Sequence, residues 1–214
     1  KILVLAGKTG VGKTEVLKKL DSDGHNVIDL ELLARHRGSV LGSYPDRIQP
    51  KQKLFETRVF EKLRNFKNPN VIFVEAESNK IGNLFIPVGL WKRMKDAPTV
   101  VLENSLIHRA NYVLSEYDPE FLKDKELPQL LSIIERNYPN INLSLLRQSV
   151  REERWSDFVF TVIKDYYDPL YNHAISRRKK NFIGNVTVNG HVKDSIPSMI
   201  IEIFSILSKC SLKP

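Results

Sequence analysis

The stretch Gly7-Lys8-Thr9-Gly10-Val11-Gly12-Lys13-Thr14 satisfies G-x-x-x-x-G-K-[ST] at every fixed position. Glycines let a backbone wrap a phosphate with its N–H groups, and a helix starting at the end of the loop turns its positive dipole end on the same anion. The Lys13 ammonium would reach the outer phosphate, and the Thr14 hydroxyl is placed to ligate Mg²⁺. The motif specifies a di- or triphosphate and leaves ATP open. Such sites draw an acidic residue from a neighbouring strand end to hold the metal. Glu75 follows Val71-Ile72-Phe73-Val74, with Glu77 two residues on; Asp29 ends another apolar run and Glu31 follows it. Glu75 and Asp29 lead as metal ligand or general base, against the plainer reading of solvated strand ends.

Basic and polar clusters follow the same strand ends. Arg35-His36-Arg37-Gly38-Ser39 suits a loop that grips phosphate in two-pronged fashion, or a basic surface loop. His36 is either a proton carrier or a hydrogen-bonding residue. Gln52 and Lys53 open a helix and would face the sheet edge, and Lys80, after the Glu75 strand, would reach a phosphate there. Arg177-Arg178-Lys179-Lys180 is a solvated face or an RNA backbone contact. Tyr166, Tyr167 and Tyr171 are helix packing or a base-stacking wall.

The elements that must position these groups alternate. Ile2–Ala6 reads as a buried strand and Lys13–Leu20 as a helix, followed by a strand over Asn26–Leu30. Helical spacing over Lys51–Phe66, a strand over Val71–Val74, a short helix over Pro87–Lys95 and a strand over Thr99–Leu102 continue the pattern. That order predicts a P-loop NTPase-like α/β fold: a parallel sheet flanked by helices. The C-terminal part reads as mostly helical, with one long helix from Trp155 that Pro169 kinks or ends. A late strand over Phe182–Val188 and an amphipathic helix over Ile196–Leu207 complete it. The whole reads as a single domain over 1–214 with a helical insert at about 119–155, over the active-site edge.

Composition narrows the class. Of 214 residues 42% are hydrophobic and 27% charged, which argues against a disordered chain. A net charge of +8 favours a polyanionic partner. The single cysteine, Cys210, excludes an intrachain disulfide and a Cys-rich zinc site, and suits a reducing, cytoplasmic setting. No apolar run approaches the roughly 18 residues of a membrane span.

Taken together, Gly7–Thr14, Val27–Glu31, His36–Ser39, Gln49-Pro50, Gln52-Lys53, Phe55-Glu56, Val74-Glu75, Glu77-Ser78, Lys80–Gly82 and Tyr166–Tyr171 resemble, in order, the P-loop domain of tRNA 2-selenouridine synthase. The resemblance implies tRNA as substrate and two steps: geranyl diphosphate alkylates the sulfur of wobble 2-thiouridine, then selenophosphate displaces the S-geranyl group. It implies that Lys13, Arg37 and Mg²⁺ on Thr14 and Glu75 neutralise the departing diphosphate, that His36–Ser39, Gln52, Lys53 and Lys80 contact substrate, and that Tyr167 and Tyr171 wall in the geranyl chain. The family's rhodanese-like domain has no counterpart in these residues, so a rhodanese domain on another chain or an upstream segment is expected as partner. Ala76 stands between Glu75 and Glu77 where an acidic residue is expected, which weighs against a contiguous acidic triplet. An ATP-dependent small-molecule or nucleotide kinase and a non-catalytic RNA-binding module are the competing readings.

Overall fold

The computed structural model describes residues 1–39, 42, 48–66, 70–116 and 126–210. Strand β1 (Ile2–Gly7) runs into the phosphate loop and helix α1 (Lys13–Ser22). Then come β2 (Asn26–Ile28), α2 (Leu30–Ala34), α3 (Gln52–Arg64), β3 (Ile72–Glu75) and the short pair β4 (Lys80–Ile81) and β5 (Leu84–Phe85). Helix α4 (Val88–Lys95), β6 (Thr99–Glu103) and α5 (Leu106–Glu116) follow. The helical region holds α6 (Glu126–Asn137), α7 (Leu143–Arg151), α8 (Trp155–Thr161), a π-helical turn (Val162–Tyr167) and α9 (Asp168–Ser176). A 3₁₀ turn (Lys179–Asn181), β7 (Phe182–Thr187) and α10 (Val192–Lys209) close the chain.

The main sheet has the order β2-β3-β1-β6-β7, with every pairing parallel, as the alternating pattern predicts. The central strand shows why it must be covered on both sides. Leu3 and Leu5 enter one apolar cluster with Val16, Leu17, Leu20 and the α10 residues Met199 and Ile203. Val4, between them, enters the opposite cluster with Ile28, Val74 and Phe55 of α3. Successive strand residues face opposite ways, so an unbroken apolar run is the signature of a strand buried twice.

Three expectations are corrected. The second strand stops at Ile28 instead of Leu30, because Asp29 turns the chain into α2: its Oδ1 accepts a hydrogen bond from the Leu32 N–H at 2.8 Å. Pro169 does not end the long helix. It sits in the first turn of α9, where a missing N–H costs little, and the helix widens into the π turn just before it. The last helix begins at Val192, four residues before Ile196, and tolerates Pro197 near its N-terminus. The parallel pairing of β7 with β6 makes the late strand a full member of the sheet. The β4–β5 hairpin went unread, since each strand has two residues and neither shows a period.

A third apolar cluster joins α6 and α7 to α8 and the π turn: Leu130, Ile134, Leu146, Phe158 and Tyr166 bury one another. Tyr166 meets Tyr138 and Tyr167 edge-on, with ring centroids 4.9 and 4.8 Å apart. This cluster is separate from the two that cover the sheet. Leu130→Ala, at a fully buried site, is expected to cost about 2–5 kcal/mol. Hydrogen exchange should show that protection lost over α6–α8 and retained in β1 and β6.

Candidate phosphate and acidic site

The loop between β1 and α1 is hemmed in on all sides. Gly10 (φ 78°) and Gly12 (φ 96°) both take left-handed conformations that side chains resist. A Cβ on Gly10 would lie 2.6 Å from the Arg109 carbonyl oxygen of α5, and one on Gly12 would lie 2.6 Å from Val192 Cγ1 of α10. Lys13 Nζ folds back onto the loop, donating to the Gly7 and Lys8 carbonyls at 3.0 and 3.4 Å. The same ammonium stands 5.2 Å from the centroid of the Tyr171 ring.

Behind the loop, Arg109 is 3% exposed and fully engaged. Its Nη1 and Nη2 donate to Asp168 Oδ1 and Oδ2 at 2.9 and 2.7 Å, Nη1 also to the Thr9 carbonyl at 3.0 Å, and Nε to the Asn104 carbonyl at 3.2 Å. Lys8 Nζ lies 3.5 Å from Asp168 Oδ2. One buried fork thus ties the phosphate loop, the end of β6 and the start of α9 together.

In front of the loop, three carboxylates converge. Glu31, Glu75 and Glu77 each offer an oxygen within 4.8 Å of the others. Thr14 Oγ1 donates to Glu31 Oε2 at 3.5 Å, and a Cβ on Gly38 would lie 2.7 Å from Glu31 Oε1 and 2.9 Å from both Glu77 carboxylate oxygens. Glu75 is 1% exposed, and its Oε1 has no hydrogen-bond partner among the described residues. Burial first, and mutual repulsion second, raise all three above the usual carboxylate range: Glu75 and Glu31 well above it, Glu77 to about 8. Lys13 is the cation that offsets them. A buried, unpartnered carboxylate oxygen among two others and a threonine hydroxyl fits the donor set of a hard divalent cation such as Mg²⁺.

Two cavities meet here. The smaller, about 130 Å³, is lined by Lys13, Thr14, Arg37, Ser39, Glu75 and Tyr112 among others. The larger, about 630 Å³, lies between α4 and α9, with Trp91, Lys95, Leu170, Ile175 and Arg177 on its walls. Glu77 and Tyr171 line both.

The residues singled out from sequence divide accordingly. Gly7–Thr14, Arg37, Gly38, Ser39, Glu75 and Tyr171 border one cavity or the other or build the loop between them. Arg37 Nη2 donates to the Glu116 carbonyl at 3.3 Å. His36 is buried, its Nδ1 accepting from the Gly38 N–H at 3.1 Å, and burial lowers its pKa, so it shapes the loop as a neutral ring. Asp29 caps α2 and is absent from both cavity linings. Gln52 clamps the hairpin, its Nε2 donating to the Phe85 carbonyl and its Oε1 accepting from the Phe85 N–H, at 2.8 and 2.9 Å. Lys53 and Lys80 are exposed, and Lys80 lies 5.7 Å from the Phe85 ring centroid. Tyr167 is buried in the helical cluster.

Sequence reasoning passed over Arg109 and Asp168, whose partnership spans 59 residues and leaves no local pattern. It ranked Glu31 and Glu77 behind Glu75. A signal for Glu77 was present: Glu75 and Glu77 are two apart on extended chain, hence on one side, while Ala76 turns away to the larger cavity. The acidic triplet is therefore not contiguous; its third member, Glu31, comes from the first turn of α2, just after the neighbouring strand β2.

Loop and sheet order define a P-loop α/β protein. The model of the tRNA 2-selenouridine synthase AAA domain matches residues 1–132. The tRNA 2-selenouridine synthase of Alcanivorax borkumensis is 34% identical over 203 residues, covering 82% of this chain and 55% of that protein. Those of Marinobacter nauticus and Pseudomonas syringae pv. tomato are 32% and 31% identical, covering 87% and 90% of this chain and 56% and 60% of theirs. This chain belongs to the tRNA 2-selenouridine synthase family, and it spans a little over half the length of those relatives. Shikimate kinase from Bacteroides thetaiotaomicron (TM-score 0.40, 15% identity, 97% of this chain and 98% of that one) and a gluconokinase from Sinorhizobium meliloti (0.39, 13%, 97% and 91%) are distant likenesses that carry no functional argument. No described helix is long and apolar enough to cross a membrane.

Two outcomes follow from this charge balance. The Glu77 carboxyl holds its proton in the folded chain up to about pH 8, against about 4.5 when unfolded. Between those values the folded state binds the extra proton, so stability falls as pH rises. Thermal melts of metal-free protein should show that decline, and Glu77→Gln should make it shallower, with Glu31 and Glu75 carrying the remainder. Asp168→Ala strands the buried Arg109 charge and should cost about 3–5 kcal/mol by urea denaturation.

Proposed function

We propose that this chain supplies the prenyl-diphosphate site of a cytoplasmic tRNA 2-selenouridine synthase, a transferase that converts wobble 2-thiouridine to 2-selenouridine through an S-geranyl intermediate. The observation that carries this reading is the junction of the phosphate cavity with a larger, partly apolar one, at Glu77 and Tyr171. A diphosphate and an attached hydrocarbon chain need two such adjoining compartments. The diphosphate of geranyl diphosphate lies along the loop N–H groups and Lys13, with Arg37 at the rim. The geranyl chain lies along Leu170, Tyr171 and Ile175 of α9.

The thiouracil sulfur attacks C1 of the chain. The C1–S bond forms, the C1–O bond breaks with its electron pair passing to the diphosphate, and the ring N3–H gives up its proton to solvent water. Lys13 and the loop amides are preorganised for the charge that develops on the leaving group. When bound, Mg²⁺ would rest on Thr14, Glu75, Glu31 and Glu77 and supply further neutralisation of the diphosphate. The apolar wall keeps water from the allylic carbon. Selenium of selenophosphate then attacks C2 of the base, the C2–S bond breaks and the geranylthiolate leaves with a proton from solvent, and water cleaves the Se–P bond to release phosphate and 2-selenouridine. A rhodanese domain, on a partner chain or another segment, completes the enzyme.

Calorimetric titration with geranyl diphosphate and, separately, ATP tests the reading. Geranyl diphosphate is expected to bind more tightly, with Lys13→Ala weakening it at least tenfold and leaving RNA affinity intact. Arg37→Ala should weaken diphosphate binding more than RNA binding. Preference for ATP would replace this reading with a kinase.

A further inference from the structure

The larger cavity has a second wall that the prenyl chain does not use. Trp91 and Lys95 stand one turn apart on α4, facing α9 across the cavity. Two hydrogen bonds tie the end of α4 to the turn after α9: Arg178 Nη1 donates to the Met94 carbonyl at 2.9 Å, and Asn181 Nδ2 to the Lys95 carbonyl at 2.6 Å. They join the end of α4, which carries Lys92 and Lys95, to the segment that carries Arg177, Lys179 and Lys180; Lys95 and Arg177 line the same cavity. All five are exposed, and none of them has an ion pair among the described residues. Asp96, also exposed, is the acidic residue next to them in sequence, so the rim keeps a strong positive excess.

We infer that this rim and the α4 wall form the entry for a single-stranded RNA loop, with Lys95, Arg177 and Lys179 on its phosphates and one unstacked base lying on Trp91. The inference rests on the proposed prenyl transfer in one respect: the sulfur must reach C1 of the donor, so the base has to enter the cavity that holds the chain. A ten-carbon chain leaves much of about 630 Å³ unfilled. The combination of exposed cations with a half-buried indole at a cavity mouth is the arrangement that takes an unpaired nucleotide, because phosphates meet charge and the base meets a π-face. A duplex has no free base for Trp91, and an acidic protein segment would use the cations without the indole.

The test uses a fluorescently labelled anticodon stem-loop RNA and a fully paired RNA duplex of the same length. Lys95→Ala/Arg177→Ala/Lys179→Ala alters only exposed side chains. It is expected to weaken stem-loop binding about tenfold near 0.1 M salt and to reduce the slope of log affinity against log salt by about 2. Stem-loop affinity is expected to fall by more than geranyl diphosphate affinity, measured by calorimetry. In a Trp155→Phe background, where Trp91 is the remaining tryptophan, the stem-loop should quench fluorescence and the duplex should not. Stem-loop affinity and salt slope unchanged in the triple variant would overturn the inference. So would equal binding of stem-loop and duplex without quenching, or no RNA binding by the parent chain. A matching loss of geranyl diphosphate affinity would assign the cations to the donor instead. Each of these failures is distinct from failure of the donor reading, which shows as the parent chain not binding geranyl diphosphate.

Discussion

The site depends on a loop that has no room to be anything but backbone. Gly10 is pressed by a carbonyl of α5 and Gly12 by a side chain of α10, so two helices far apart in sequence fix the path of the chain between β1 and α1. A phosphate loop works by presenting N–H groups at fixed positions, and fixed positions require neighbours that do not yield. Arg109 adds the third constraint from behind, gripping the Thr9 carbonyl while its other contacts reach β6 and α9. Rigidity at the phosphate is thus drawn from the whole sheet edge, and the helical region is anchored by the same guanidinium.

Charge is distributed across this loop with a clear sense. Arg109 and Lys8 are matched behind it by Asp168, while Lys13 is outnumbered in front by Glu31, Glu75 and Glu77. Three carboxylates brought together out of water cannot all stay ionised beside one lysine; they hold protons or accept a cation. The arrangement therefore favours added positive charge beside the phosphate loop. Tyr171, half-buried beside the Lys13 ammonium, lines both cavities and stands between the charged compartment and the partly apolar one.

The helical region explains why the larger cavity has an apolar side. Its core of Leu130, Phe158 and Tyr166 packs by itself, and the π turn then delivers α9 with Leu170, Tyr171 and Ile175 turned to the cavity.

Much of this was legible in the chain itself. The Gly7–Thr14 pattern, the unbroken apolar strands and the alternation of strand and helix determine a parallel sheet with a phosphate loop at its edge, because each is a local signal set by backbone geometry or by burial on two faces. Glu75 was legible for the same reason, standing at the end of such a strand. The tertiary structure alone decided that Asp29 spends its carboxylate on a helix cap, that Gln52 holds a hairpin, and that Tyr167 belongs to a core. It alone joined Glu31 to Glu75 and Glu77, and Arg109 to Asp168. Sequence patterns report which way a residue faces relative to its neighbours in the chain. They do not report which distant residue it meets, since that is set by how the elements pack, and the chemistry of this site lies in those meetings.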